Sequence, residues 1–285
     1  MELRLLPATL DERLMTTSEE MLQGKQFSDS EASSAARKSP LTIVIPVYNE
    51  AANFPRLWQS VNSSIRSPFR AIMVYDFDAD NTVPVAQQVI DSGDSRLHLA
   101  RNAYGRGVVG AIRTGFNAVR QGPVLVVMAD LSDDLNTVDT MVDLYRQGFD
   151  VIVGSRYMRG GKINGGPFIK QLMSRVAGVS LRYLRGLPTH DATNAFKIYD
   201  AAMLHSMSIK STMGFELNLE LTVKAFLAGH RVAEVPSTWN DRTDGESRFR
   251  VWKWLPHYLH WYFFAFQRRR PLRLGESGSR ESAPA

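Results

Sequence analysis

A short, continuously apolar run followed at once by carboxylates constrains the fold of this chain more than any other feature. Residues 124–128 read Val-Leu-Val-Val-Met, and Asp130, Asp133 and Asp134 follow directly. The run is too short for a typical helix and lacks the alternation of a half-exposed strand. It predicts a central strand of a parallel sheet that is covered on both faces. The aspartates would then lie at the carboxyl edge of the sheet, where open α/β folds bind their ligands.

Strand patterns alternate with helix patterns along the chain from residue 40. Strands are predicted over residues 41–46, 70–75, 96–100, 124–129, 151–154 and 231–235. Helices are predicted over residues 51–65, 82–91, 108–120, 135–147, 168–185 and 215–228. The repeated β-α units predict an α/β domain over residues 40–247, with a mostly parallel sheet and helices on both faces.

Acidic residues also follow the first two predicted strands. Glu50 comes after the first strand and Asp76 after the second. A single acid after a strand is most often a helix cap, but with Asp130 three acidic strand ends share one rim of the sheet. Because the whole chain carries a formal charge of +5, an acidic cluster at this rim indicates a cation that holds a phosphate.

A glycine pattern after the third predicted strand raises an alternative ligand. Gly105-Arg-Gly107-Val-Val-Gly110 matches the dinucleotide-binding pattern, and Asp130 lies twenty residues further on. A dinucleotide loop opens the helix directly after its strand, whereas residues 101–104 intervene here. We therefore interpret the pattern as a tight turn before a helix, with Arg106 facing the ligand cleft, and not as an NAD site.

Residue types that the chain lacks exclude several chemistries. There is no cysteine, which excludes disulfides, thiolate nucleophiles and cysteine-bound zinc. The histidines show no convincing metal-binding spacing. Residues 1–39 are polar and lack a signal-peptide pattern. We expect them to form a mostly disordered leader with at most one short helix.

The C-terminal region is basic and aromatic. Between Arg248 and Arg273 there are seven Arg or Lys and no acid, together with three of the five tryptophans. This composition predicts an amphipathic membrane-surface helix over residues 248–274, followed by a tail over 275–285. A helix packed on the domain is the alternative, and nucleic acid is disfavoured because no RNA-binding pattern accompanies the aromatics. With no apolar stretch of spanning length, we expect a peripheral protein on the cytoplasmic face of a membrane.

A series of motifs runs in order between residues 41 and 247. They are Ile45-Pro-Val-Tyr-Asn-Glu50, Arg101 with Gly105-Arg-Gly107, Thr114-Gly-Phe116, Ala129-Asp130-Leu131, Val153-Gly-Ser-Arg156-Tyr157, Ser174-Arg175, His190-Asp-Ala-Thr193 with Phe196, Glu234-Val-Pro236 and Asp241-Arg242-Thr-Asp-Gly-Glu-Ser247. On these motifs the chain resembles the family 2 glycosyltransferases with the GT-A fold. It most resembles the polyprenyl-phosphate glycosyltransferases of the dolichol-phosphate mannosyltransferase type.

The resemblance implies an inverting enzyme that moves a sugar from a GDP- or UDP-linked donor to a polyprenyl phosphate. It implies donor binding by Pro46, Tyr48, Glu50, Asp76, Arg106, Asp130, Arg242 and Arg248. It implies an Mg²⁺ or Mn²⁺ ion on Asp130 and Ser132, with Asp133 as a further candidate ligand. The implied catalytic residues are Asp130, Arg156, Lys170 and Arg175, the last three approaching the acceptor phosphate.

These residue types suit the implied chemistry. An acceptor phosphate is largely ionised at neutral pH and needs no strong base, but it needs cations so that two phosphate groups can meet. A polysaccharide or soluble hydroxyl acceptor is the alternative, and it would need a base, for which Asp191 or Asp133 is the candidate.

The chain departs from the family pattern at several positions. Met128 replaces the first carboxylate of the usual Asp-x-Asp metal motif, and Ser132 stands where lipid-phosphate members often have Gln. The further departures are Asp76-Phe-Asp78-Ala-Asp80, Asn194-Ala-Phe196 and Arg248. Met128 motivates the other alternative, a nucleotide-sugar binding protein without catalysis.

Overall fold

The computed structural model describes residues 34–241 and 251–267. The strands are β1 (Leu41–Pro46), β2 (Phe69–Tyr75), β3 (Leu97–Arg101), β4 (Pro123–Val126), β5 (Val151–Ser155), β6 (Lys162–Asn164), β7 (Lys197–Asp200), β8 (Val232–Pro236) and β9 (Thr238–Asn240). The α-helices are α1 (Phe54–Ser64), α2 (Thr82–Asp91), α3 (Val108–Asn117), α4 (Val138–Arg146), α5 (Phe168–Ser180), α6 (Ala201–His205), α7 (Glu216–Ala228) and α8 (Val251–Phe264). A 3₁₀ turn (Leu135–Thr137) precedes α4, and a π-helical segment (Leu181–Arg185) continues α5.

Seven strands form the main sheet, in the order β3-β2-β1-β4-β7-β5-β8. β1 pairs in parallel with β2 and β4, β2 with β3, and β5 with β8. Only β7 is antiparallel to its neighbours, β4 and β5. The expected α/β class with a mostly parallel sheet is therefore confirmed. Because β2, β1 and β4 are adjacent, the acidic ends of these three strands share one rim of the sheet.

Both faces of the sheet are covered, as the uninterrupted apolar strands require. Every residue of β1 is buried. Ile43 and Ile45 face a core shared with α1, α2 and α4, whereas Val44 faces a second core built from α3, α6 and α7. A Cβ atom at Gly115 of α3 would overlap the Val44 side chain, so this glycine lets α3 approach β1 closely.

The strand that ends near Asp130 is shorter than expected. The sequence predicts a strand over residues 124–129, but β4 ends at Val126. The backbone N–H of Val127 still donates to the Val44 carbonyl at 3.0 Å, and that of Met128 donates instead to the Asp133 side chain at 3.3 Å. Leu131 then adopts a positive φ of 60°. The chain thus leaves the sheet and folds its aspartates back toward the strand end.

Sequence patterns did not predict several short elements. β7 is four residues long and lies between two strands that are far from it in sequence. β6 and β9 pair in parallel as a separate two-stranded sheet, and Asp133 bridges to Trp239 of β9. α6 is a single short helix after β7. Such short elements carry too few residues for a periodic signal.

The folded part of the chain begins before the expected boundary at residue 40. Residues 34–37 form one helical turn. The Arg37 guanidinium donates to the carbonyls of Tyr145 and Phe149 and to the Asp150 carboxylate. It also lies 4.4 Å from the centroid of the Tyr145 ring. This side chain therefore ties the segment before β1 to the end of α4.

The C-terminal helix packs on the domain along one face. Trp261 of α8 and Ala265 just after it are buried in a third core with residues of α7 and the π-helical segment. The Arg185 guanidinium donates to the carbonyls of Ala265 and Gln267 at 2.6 and 2.5 Å. Other apolar side chains of this region are exposed: Leu259, Phe263 and Phe266. The remainder of the predicted interface segment, residues 248–250 and 268–274, lies outside the described residues.

Candidate active site

A cavity of about 640 Å³ lies between the carboxyl edge of the sheet and the helices α5 and α8. Its polar wall includes Asp130, Ser132, Asp133, Arg156 and Lys170. Its apolar wall is built from the two helices and includes Leu172, Val176, Leu255, Leu259 and Tyr262. Three of these wall residues are also exposed at the surface, Leu172 by 48%, Val176 by 57% and Leu259 by 43%. The cavity therefore runs from the sheet edge to an opening between α5 and α8.

Asp130 and Ser132 form one unit at the polar end of the cavity. The Ser132 hydroxyl donates to Oδ1 of Asp130 at 2.7 Å, and the Ser132 N–H donates to the same oxygen at 3.2 Å. The positive φ of the intervening Leu131 allows the serine to turn back onto the aspartate. Both side chains offer oxygen atoms, the ligand type that Mg²⁺ and Mn²⁺ prefer.

Asp133 lies behind this pair. Burial and the neighbouring charge of Asp130 raise the pKa of Asp133 to about 7, while the Met128 N–H and the charge of Arg156 act in the opposite direction. Met128 itself lines the cavity where a carboxylate was expected. Within residues 34–241 and 251–267, no three His, Cys, Asp or Glu side chains come together as a metal site. A cation at Asp130 would therefore need further oxygen ligands from a bound phosphate, as is usual for Mg²⁺.

Arg156 follows β5 and is locked by Asp191. Its Nε donates to Oδ2 of Asp191 at 2.6 Å, its Nη2 donates to Oδ1 at 2.9 Å, and its backbone N–H donates to Oδ2 at 3.1 Å. Asp191 is fully buried. Burial lowers the pKa of Arg156, but the Asp191 charge and hydrogen bonds outweigh it and leave the pKa above its ordinary value. The guanidinium thus keeps its charge and one fixed orientation in the cavity wall.

The other two predicted acceptor residues lie on α5 in different settings. Lys170 lines the cavity near the start of the helix. Arg175 is exposed and is not among the cavity-lining residues, although its charge acts on the Tyr157 hydroxyl. Tyr157 holds α5 near Arg156, because its hydroxyl contacts the Ser174 hydroxyl and donates to the Gln171 carbonyl. The structure therefore brings Lys170 and Arg156 together in one cavity, without Arg175.

The predicted donor residues gather at the ends of β1 and β2. The exposed Tyr48 ring meets Phe77 edge-on, with 5.6 Å between the ring centroids. Arg106 lies on Phe77 as well, with its guanidinium carbon 5.5 Å from the ring centroid. Glu50 accepts from Asn53 at 2.8 Å, and Pro46 ends β1. Phe77, which sequence reasoning treated only as a departure from the family pattern, is thus the centre of an aromatic and cationic cluster.

Asp76 supports the loop that carries Arg106. Its carboxylate accepts from the Asn102 amide at 2.7 Å and from the Gly107 N–H at 2.9 Å. Gly107 has a φ of 114° and starts α3, which agrees with a tight turn before a helix. The last two predicted donor residues, Arg242 and Arg248, lie outside the described residues.

Sequence reasoning assigned Asp191 only as a candidate base and missed Lys197 altogether. Both are fully buried beside Arg156. The motif His190-Asp-Ala-Thr193 was a usable signal for Asp191, whereas a lysine in a short strand gives no local sign that it is buried.

The fold and the site together define a glycosyltransferase of the GT-A type. A model of glycosyl transferase family 2 matches residues 42–207. The chain belongs to glycosyl transferase family 2 and is a glycosyltransferase.

Two relatives with assigned names are similar over most of the chain. Polyprenol monophosphomannose synthase of Mycolicibacterium smegmatis is 29% identical, over 72% of this chain and 79% of the relative. Dolichol-phosphate mannosyltransferase of Pyrococcus furiosus is 27% identical, over 76% of this chain and 62% of the relative. The chain thus spans less than two thirds of the second relative.

Solved structures share the fold. Glucosyl-3-phosphoglycerate synthase from Mycobacterium tuberculosis with Mn²⁺, UDP-glucose and phosphoglyceric acid superposes with a TM-score of 0.59, at 15% identity, over 85% of this chain and 90% of that chain. The same synthase with Mg²⁺ and UDP gives a TM-score of 0.56 at 16% identity, over 82% and 81% of the two chains. At this identity the likeness concerns the fold alone. No helix in the described part of the chain is long and apolar enough to cross a bilayer.

Proposed function

We propose that this enzyme transfers a sugar from a nucleotide-sugar donor to a polyprenyl phosphate at a membrane surface, with inversion at the transferred carbon. One observation carries the proposal: the cavity that holds Arg156 and Lys170 continues as an apolar groove between α5 and α8. An acceptor with a phosphate head and a hydrocarbon tail matches both parts of this cavity. The names of the two relatives, which contain polyprenol and dolichol phosphate, support the same acceptor class.

The buried ion pair favours a phosphate nucleophile over a hydroxyl. Asp191 is fully buried and accepts three hydrogen bonds from Arg156. Asp191 does not line the cavity, so its carboxylate is not placed to take a proton from a substrate hydroxyl. An acceptor phosphate is already ionised and requires no base. Arg156 and Lys170 would instead bind that phosphate and reduce its repulsion from the donor diphosphate.

The donor would bind across the ends of β1, β2 and β4. Its base would lie near the Tyr48, Phe77 and Arg106 cluster, and its diphosphate near Asp130. Asp130 and Ser132 would hold a divalent cation together with that diphosphate, and the cation would supply charge stabilisation for the departing nucleoside diphosphate. The exposed apolar side chains of α5, the π-helical segment, α8 and the turn after α8 support contact with lipid: Phe168, Ile169, Tyr183, Leu184, Phe263 and Phe266. We infer that this contact is with the cytoplasmic face of a membrane.

One experiment tests the proposal. The purified full chain is incubated with labelled GDP- and UDP-sugars, polyprenyl phosphate and either Mn²⁺ or EDTA, and label is measured in the organic phase. We expect metal-dependent organic-phase label with one donor class. Absence of label with every donor would overturn the lipid acceptor, and donor binding without turnover on any acceptor would favour a binding protein.

Asp133 supports a second candidate function, transfer to a hydroxyl. Its carboxylate lines the cavity beside Asp130 and Ser132, and a carboxylate positioned next to a substrate hydroxyl can act as a general base. Substitution Asp133→Asn separates the two reactions, because only a hydroxyl acceptor needs the base. If Asp133→Asn still forms the organic-phase product, the result supports the phosphate acceptor. If the variant loses all turnover and the wild type acts on soluble sugars, the result supports the hydroxyl acceptor.

A further inference from the structure

Lys197 is a fully buried lysine that no role discussed so far uses. Lys197 is the first residue of β7. Because β7 runs antiparallel to β4 and β5, this residue lies at the rim of the sheet where β4 and β5 end. Its Nζ donates to the Ala192 carbonyl at 2.7 Å, the Thr222 hydroxyl at 2.8 Å and the Asn218 carbonyl at 3.2 Å. Three acceptors therefore surround Nζ, and in its protonated form the amino group has one N–H donor for each of them.

The hydrogen bond to the Ala192 carbonyl connects Lys197 to the candidate active site. Ala192 directly follows Asp191, which fixes the Arg156 guanidinium. The same loop is held at its other positions by Glu234, which accepts from the His190 N–H at 2.8 Å, and by Asn194, whose amide donates to the Gly154 carbonyl at 2.6 Å. Lys197 therefore anchors the part of the loop between these two attachments.

The second and third contacts tie the loop to α7. Asn218 and Thr222 lie one turn apart on this helix, and both are buried. Lys197 thus joins β7, α7 and the Asp191 loop at a single nitrogen atom. Burial lowers the pKa of Lys197, and the charge of Arg156 acts in the same direction, whereas the charge of Asp191 opposes the shift.

We propose that Lys197 is a positioning residue for the acceptor phosphate: the hydrogen bonds from its Nζ fix the loop that carries Asp191, and through Asp191 they orient Arg156. Lys197 is not among the residues that line the cavity, so it acts without touching the acceptor. The inference rests on the proposed function, because it assigns the acceptor phosphate to Arg156.

Substitution Lys197→Met tests this inference in the full chain. Methionine fills a similar volume but removes the three donors. We expect the KM for polyprenyl phosphate to rise about tenfold or more with the KM for the donor nearly unchanged, since the hydrogen bonds that anchor the Asp191 loop are lost beside the acceptor site only. Lys197→Arg keeps a charged donor and should restore the acceptor KM at least in part.

Two further variants separate positioning from general destabilisation. Thr222→Val removes one acceptor of Lys197 and should raise the acceptor KM by a smaller factor. Ile198→Val trims an equally buried apolar side chain next to Lys197 along β7, and it should leave both KM values unchanged. Thermal unfolding identifies variants that are not folded at the assay temperature, and Thr222→Val then decides the question if Lys197→Met is among them.

The outcomes are distinct. An unchanged acceptor KM in Lys197→Met, or equal rises in donor and acceptor KM, would overturn the role of Lys197 while leaving the proposed function intact. Wild-type protein that produces no lipid-linked sugar would overturn the proposed function and this inference with it. A selective rise in the acceptor KM, with recovery in Lys197→Arg, supports the inference.

Discussion

Arg156 and Asp191 form a bidentate ion pair, in which Nε donates to Oδ2 at 2.6 Å and Nη2 donates to Oδ1 at 2.9 Å. The planar fork of the guanidinium matches the carboxylate, so the pair fixes a direction as well as a charge. This relationship separates the roles of the three basic residues that the sequence assigned to the acceptor.

Arg156→Lys should lose most activity although it keeps the charge. Lysine cannot form the two parallel hydrogen bonds to Asp191, so the cation loses its fixed position. We expect kcat/KM to fall by about 100-fold, comparable to the loss of one preorganised donor to a developing charge. Arg175→Lys is the matched control, because Arg175 is exposed outside the cavity lining, and it should stay near the wild-type rate. Equal losses at both positions would contradict this division.

Asp191→Asn should destabilise the fold. The substitution removes the charge that compensates a buried guanidinium, and breaking such a pair by removing one partner costs about 3–5 kcal/mol. Urea unfolding monitored by circular dichroism measures the loss. Asp143→Asn removes one partner of a surface ion pair with Arg146 and should change the free energy of unfolding by less than about 1 kcal/mol. A small effect at Asp191 would show that Arg156 finds another partner.

Asp130→Asn should abolish turnover and metal-dependent donor binding. Without the carboxylate, the cation would lose the charged ligand that is hydrogen-bonded to Ser132. Asp134→Asn is the control, because Asp134 accepts from the backbone of Asn136 and Thr238. Calorimetric titration with UDP or GDP, with and without Mn²⁺, measures the binding. Metal-enhanced binding that survives in Asp130→Asn would remove this residue from the metal site.

Charges in the groove should affect the acceptor more than charges elsewhere on the same apolar surface. Val176→Glu introduces a carboxylate where the hydrocarbon tail would lie, and we expect the KM for detergent-dispersed polyprenyl phosphate to rise about tenfold or more. Leu184→Glu is the control, since Leu184 is equally apolar and exposed but does not line the cavity. Similar KM values in the two variants would argue against the groove as the tail site.

The stability of the fold should rise with pH above neutrality because of Lys197. Burial lowers the pKa of this lysine to about 7, whereas an unfolded lysine titrates near about 10.4. Between these values the unfolded chain binds more protons than the native chain, so the free energy of unfolding increases with pH, by at most about 1.4 kcal/mol per pH unit.

The difference between wild type and Lys197→Met isolates this contribution. Urea unfolding at pH 7, 8 and 9 should show a steeper rise for the wild type than for the variant. The comparison stops below pH 10, because the raised pKa values of the buried Tyr145 and Tyr199 and of the half-buried Tyr258 act in the opposite direction above it. Parallel pH profiles would show that Lys197 titrates normally.

The sequence predicted the part of the sheet around β1 better than the part around β7, for a physical reason. β1 is a continuous apolar strand with a carboxylate after it, and its bounds and rim position were predicted as observed. β7 is short, contains a buried lysine and pairs with strands distant in the chain. The pairing of Arg156 with Asp191 joins residues 35 positions apart. No local pattern records such a contact, so only the folded chain reveals it.

The reversed direction of β7 has a consequence for how specificity can be altered. At the rim of a parallel sheet, the loops that reach the ligand follow the carboxyl ends of the strands. Because β7 runs in the opposite direction, its loop at this rim precedes the strand. Residues 189–194 therefore reach the cavity without belonging to β1, β2 or β4, while Asp191 must be kept because it fixes Arg156. Substitution of Thr193, which lines the cavity, offers a route to altered specificity on an unchanged set of parallel strands.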